Sequence, residues 1–93
     1  MATVTVKFFA TIREITGTRS IEVEANTVRE VLDLLAERYG KKFTDTVIDA
    51  GTNRLKQFFS CMVNGKRIEL LDGYKTALSD GDAIALFPPV GGG

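Results

Sequence analysis

Apolar and polar residues alternate from Thr3 to Phe8, with Val4, Val6 and Phe8 on one face and Thr5 and Lys7 on the other. That is the period-two pattern of a strand buried on one side. Phe9 breaks it by placing a large ring on the polar face. Alternation resumes at Ile21 and Val23 after a turn expected at Gly17, which predicts a first hairpin. The period then changes: Val28, Val31, Leu32 and Leu35 recur at i, i+3, i+4 and i+7. Thr27 and Glu30 have the spacing of a capping box, and Gly40 stands where a left-handed C′ residue ends a helix. The spacing predicts a helix over 28–39, with Arg29, Asp33, Glu37 and Arg38 as its solvated face.

Residues 41–56 keep no sustained period: apolar spots at Phe43, Val47, Ile48 and Leu55 are interrupted by Gly51 and Asn53, which reads as a loop with one helical turn. Phe59, Cys61 and Val63 alternate again, Asn64-Gly65 is a strong two-residue hairpin signal, and residues 67–70 supply the return strand. Asp72-Gly73 and the run from Ser79 to Asp82 are turn clusters around a short segment holding Tyr74, Ala77 and Leu78. Asp80 and Asp82 belong to those turns rather than to an acid/base pair, since no cleft-forming residues adjoin them. The apolar run AIALF, residues 83–87, predicts a strand buried on both faces at the sheet centre, beside the first strand. The order β, β, α, loop, β, β, turn, β specifies an α+β domain in which a mixed sheet of about five strands wraps one main helix.

Composition narrows the chemistry. Ninety-three residues hold one core. Twelve basic and twelve acidic residues cancel, without a block of like charge, which removes nucleic acid and anionic membrane as leading partners. With no His, no Trp and a single Cys, the chain has no imidazole base, no Cys-His pair, no zinc cluster and no internal disulfide. Cys61 falls on a core-facing position, where a thiol serves as a small inert hydrophobe. MATVTVKFF has no leader pattern, and no run approaches the ~20 apolar residues of a membrane span, so a cytoplasmic protein is expected.

The closing residues remain. Pro88 and Pro89 cannot donate to a sheet and fix φ, so the strand stops there; Val90 and then Gly91, Gly92 and Gly93 make a thin thread. At ~3.3 Å per residue, residues 88–93 reach about 20 Å beyond the sheet. The expected division is a domain over 1–87 and a flexible tail over 88–93. An α-carboxylate is a poor electrophile until converted to a better acyl group such as a mixed anhydride with AMP, and glycines let an activating enzyme approach it. Alone, the glycine run reads equally as an idle terminus.

VKFFATIREITG, VNGK and SDGDAIALFPPVGGG, in that order along the chain, resemble the small subunit of molybdopterin synthase, in the MoaD/ThiS family of ubiquitin-like sulfur carriers with the β-grasp fold. Residues 41–57 match least, and Gly91 stands where Ala or Ser is more usual, with Gly92-Gly93 intact. The resemblance implies a non-catalytic, sulfur-carrying subunit of a sulfurtransferase complex that holds no cofactor or metal of its own. An E1-like activating enzyme uses ATP to adenylate Gly93, a cysteine desulfurase or rhodanese type of donor supplies sulfur, and Gly93 becomes a thiocarboxylate. The large synthase subunit receives the tail, Pro88 to Gly92 giving reach and clearance, and passes the sulfur to a pyranopterin precursor of the molybdenum or tungsten cofactor. Phe9 and Phe87 are candidates for an apolar patch that docks both partners, while Lys66, Arg67 and Lys75 read as scattered surface charge. Sulfur delivery to thiamine or another metabolite, conjugation through Gly93 to protein lysines, and a plain interaction domain stand as alternatives.

Overall fold

The computed structural model describes residues 1–88. Strand β1 (Ala2–Phe8) pairs antiparallel with β2 (Ser20–Ala25), in a register that sets Val4 opposite Val23 and Val6 opposite Ile21. Directly opposed residues share a face, so the apolar sets of both strands point the same way. On its other side β1 meets β7 (Ala83–Phe87) in parallel, with Val6 opposite Ile84 and Phe8 opposite Leu86. β7 in turn runs antiparallel to β5 (Ser60–Val63), which is hairpinned to β6 (Lys66–Arg67). The order β2-β1-β7-β5-β6 puts the first and last strands side by side in the middle.

Helix α2 (Val28–Tyr39) covers one face. Its predicted stripe of Val28, Val31, Leu32 and Leu35 is buried and joins Val4, Val6, Phe8, Ile84 and Leu86 in one core. The capping box forms, shifted by one residue at its return limb: Thr27 Oγ1 accepts from Glu30 N–H at 3.2 Å, and Glu30 Oε1 accepts from Asn26 N–H at 2.9 Å. A mixed sheet gripping one helix is the β-grasp architecture, and it agrees with the order expected from the sequence.

Several local expectations are corrected. The chain between β1 and β2 is not a bare turn but helix α1 (Ala10–Thr16), and Phe9, outside β1, is its N-cap. Sinking Ile12 fully into the core holds that short helix, and Gly17 closes it in the left-handed region, φ 75°, ψ 10°. Residues 41–47 form helix α3 (Lys41–Val47), which buries Phe43 and Val47 on one side, and a two-stranded ribbon of β3 (Ile48–Asp49) and β4 (Arg54–Leu55) follows. Gly40 has the positive φ expected of it, 67°, but its ψ of −147° is not that of a left-handed cap; it swings the chain from α2 straight into α3. The return from the second hairpin is only β6, after which residues 68–70 make a single 3₁₀ turn. β7 is central but not buried on both faces: Ile84 and Leu86 are buried, whereas Ala83, Ala85 and Phe87 are half-buried on the outer face. Alanine reads as apolar in a sequence yet costs little to leave partly wet.

Candidate functional site

β7 is tied down at its start and ends at Phe87. At its start the turn from Ser79 to Asp82 is tied to two neighbours. Asp80 Oδ1 accepts from Thr3 N–H at 2.8 Å, and Gly81 N–H donates to Thr3 C=O at 2.9 Å, which fixes the turn to β1. Asp82 accepts from Ser79 N–H through Oδ2 at 2.8 Å and from the Asn64 amide through Oδ1 at 2.9 Å, while Asn64 Oδ1 accepts from Ala83 N–H at 2.9 Å. Asn64 occupies the left-handed region, φ 51°, at the Asn-Gly turn, so its side chain is presented to the start of β7. The Ser79 N–H and then the Asn64 amide hold the Asp82 carboxyl below the usual carboxylate range. Both aspartates are therefore structural turn residues, as their spacing suggested.

At the other end the strand runs out at Phe87, with Ser60 opposite, and Pro88 is the last described residue. The two candidate docking residues meet there. Phe9, 43% exposed, faces Phe87 edge-on, ring centroids 6.1 Å apart and planes at 87°. β1 carries Phe9 to this end because it runs parallel to β7, and the first turn of α1 fixes it, the Phe9 carbonyl accepting from Ile12 N–H at 3.1 Å. Pro89, Val90, Gly91, Gly92 and Gly93, the remainder of the expected tail, lie outside the described residues. Lys66 and Arg67 are exposed on β6, Arg67 pairing with Glu69 at 3.1 Å, and Lys75 is exposed on a separate 3₁₀ turn.

One further exposed ring, missed by sequence reasoning, stands at the same end of the sheet. Phe58 is 68% exposed and stands two residues before Ser60, the partner of Phe87, at the same end of the sheet. The signal was present: Phe58 precedes a strand on the parity opposite to Phe59, Cys61 and Val63, so one ring of that doublet had to face away from the core.

Cys61 is 2% exposed, opposite Leu86. Burial, with the negative charge of Glu69 added, pushes its thiol up to about 12. It is a packing group. Among the described residues no cluster of His, Cys, Asp and Glu can hold a metal ion, and no helix is long and apolar enough to cross a membrane.

A mixed sheet that sets β1 and β7 side by side in its middle and grips α2 on one face defines a ubiquitin-like protein. The chain belongs to the ThiS family, whose model matches residues 6–93, and is a ubiquitin-like sulfur carrier of the ThiS/MoaD type. It is 40% identical to small archaeal modifier protein 3 of Haloferax volcanii, over 94% of this chain and 95% of that protein. It is 30% identical to the molybdopterin synthase sulfur carrier subunit of Escherichia coli, over 95% of this chain and 96% of the relative. The solution structure of small archaeal modifier protein 1 from Methanosarcina acetivorans superposes with a TM-score of 0.86 at 33% identity, covering 100% of this chain and 98% of that one.

Proposed function

We propose that Gly93 is the reacting group and that this chain is the sulfur-carrying subunit of a molybdopterin synthase. An activating enzyme joins the Gly93 carboxylate to the α-phosphate of ATP and releases pyrophosphate. A persulfide donor of the desulfurase or rhodanese type then displaces AMP to give an acyl disulfide, and a second thiol attacks its donor-side sulfur, leaving a thiocarboxylate on Gly93 and a disulfide between that thiol and the donor. The large synthase subunit takes the loaded tail, its sulfur bonds to a pyranopterin precursor, and water hydrolyses the acyl–sulfur bond to return the Gly93 carboxylate. The observation that carries this reading is that the middle strand β7 ends at Phe87, ring to ring with Phe9, in a member of the ThiS family. ATP and the pterin are substrates of the partner enzymes, and this chain supplies reach, docking surface and the acyl group.

A second reading is favoured by the 40% identity to a small archaeal modifier protein: the same activated Gly93 is attacked by a lysine amine of another protein, which forms an isopeptide bond and expels AMP or the thiol. One experiment begins both. The purified chain is incubated with ATP, its activating enzyme and a sulfur donor, and its intact mass should gain the difference of one oxygen exchanged for sulfur, localised to Gly93. No such species would sink the carrier reading. Recovery of molybdoenzyme activity in a carrier-deficient host then supports pterin delivery, whereas Gly-Gly remnants on cellular lysines that vanish with this chain support conjugation.

A further inference from the structure

β2 is an edge of the five-stranded sheet, and its outer side is open. The carbonyl of Arg19 accepts from Phe8 N–H at 2.8 Å, so alternation turns the backbone groups of Ile21 and Val23 toward β1 and those of Ser20, Glu22 and Glu24 outward. Thr18 Oγ1 covers the Ser20 carbonyl at 3.2 Å; the outward N–H and C=O of Glu22 and Glu24 have no partner among the described residues. The opposite edge, β6, is only two residues long and turns at once into a 3₁₀ turn.

Beside this open edge a groove of about 580 Å³ runs between β2 and α2. Val23, Leu34 and Leu35 make its apolar wall, Met1 closes one end, Glu22 and Glu24 border it along β2, and on the α2 side the single cation Arg38 stands beside Glu37. Leu34 is 37% exposed, an uncovered leucine on a helix that otherwise buries its leucines. Glu22 and Glu24 are exposed on the sheet face away from α2, and among the described residues neither makes an ion pair.

We propose that β2 takes up an extended basic peptide of a partner protein as an added strand. Its backbone would bond to Glu22 and Glu24, and its side chains would alternate: apolar ones into the groove over Val23 and Leu34, Lys or Arg beside Glu22 and Glu24 on the other face. The charges choose between this occupant and a second copy. Two β2 edges brought together antiparallel set glutamates against glutamates, an arrangement that edge strands use to avoid self-pairing, while a cationic strand turns the same residues into attractions. The groove also lies away from the exit: β2 runs antiparallel to β1, which runs parallel to β7, so the Met1 end of the groove is opposite to Pro88. A partner held on β2 leaves the tail free to act in another active site.

The test is titration of the isotopically labelled full chain with synthetic peptides that alternate Lys with Val or Glu with Val, followed by amide shifts and hydrogen exchange. The Lys peptide should shift Glu22, Val23, Glu24 and Leu34 and slow exchange at the Glu22 and Glu24 amides, and the Glu peptide should not. The double variant E22K/E24K should lose about tenfold in affinity for the Lys peptide and gain affinity for the Glu peptide, two cross-strand charge pairs having changed sign. Leu34→Lys, on the groove face, should weaken the Lys peptide as well while leaving the amide spectrum of the fold unchanged. Shifts centred elsewhere, equal binding of both peptides, no response to the charge reversal, or dimerisation through β2 would each overturn the proposal.

Discussion

Asn64 bridges two turns that are far apart in sequence: its amide donates to Asp82 Oδ1 at 2.9 Å while its carbonyl oxygen accepts from Ala83 N–H at 2.9 Å. Asn64→Ala removes both bonds and places an alanine at φ 51°, so a loss of about 1–3 kcal/mol is expected, read from the urea midpoint. Asp82 makes the same junction depend on pH. Its carboxyl is held below the ordinary range, first by the Ser79 N–H and then by Asn64, so the folded state binds the Asp82 proton less readily than the unfolded chain. The stabilisation is present above the unfolded value of about 3.9 and is lost as pH falls through the depressed folded value. Asp82→Asn should flatten the acid limb of stability against pH, and an unchanged limb would deny Asp82 that role.

Cys61 predicts the opposite limb. A thiol pushed up to about 12 keeps its proton in the folded protein where the unfolded chain releases it near 8.5. Its contribution is intact below about pH 8.5 and falls by up to ~1.4 kcal/mol per pH unit above it, until the folded thiol titrates. Cys61→Ala should remove that slope at a cost of about 1 kcal/mol at neutral pH. Native protein should resist alkylating reagents at pH 7 and react promptly in denaturant, measured by intact mass.

The Phe9 and Phe87 rings should separate docking from folding. Phe9→Ala removes a ring that is 43% exposed, so stability should fall by no more than about 1 kcal/mol, the scale of one aromatic pair. If the pair anchors the activating enzyme, its capture should weaken by about 30-fold or more, the effect of losing a hot-spot aromatic, in a titration calorimetry experiment. Phe58→Ala, at the same end of the sheet, should weaken capture with still less effect on the melting temperature.

Arg29 fastens the β3–β4 ribbon to α2. It donates to the Asn53 carbonyl, pairs with Asp33 at 3.1 Å and lies 5.6 Å from the Tyr74 ring, which Arg54 approaches at 5.6 Å as well. Tyr74 Oη completes the fastening by accepting from Leu55 N–H at 3.1 Å. Arg29→Ala should speed amide exchange through residues 49–55 by about tenfold while the exchange of β1 and β7 holds, since the ribbon is outside the main sheet.

What could be read from the chain followed the length of each pattern. α2 was legible because twelve residues carry a full apolar stripe between a capping box and a glycine. β1, β2 and the Asn-Gly hairpin were legible for the same reason, a period sustained long enough to exclude its rival. α1 and α3 were not, at seven residues each and without a side-chain N-cap. In ATIREIT, β-branched Thr and Ile disfavour an isolated helix, and the burial of Ile12 decides the matter through contacts the local sequence does not contain. Phe43 and Val47 did have helical spacing, but Gly40 read as a stop, whereas its φ serves to start a second helix. Two-residue strands such as β3 and β4 have no period to detect. At the site, Phe9 announced itself by breaking an alternation, while Phe58 was hidden in a doublet whose other member completed one.

The pairing of Thr5 with Ala83 and Phe8 with Leu86 has a consequence for how the protein is made. β1 has no neighbour on its inner side until β7 exists, so a nascent chain cannot close this sheet before residues 83–87 are available. A product truncated before β7 would leave β1 and β5 unpaired across a gap and would lack the glycine tail altogether. Under the role proposed for Gly93, closure of the sheet and presence of the group to be activated would be acquired together, and an activating enzyme that recognised the finished sheet would spend no ATP on chains with nothing to load.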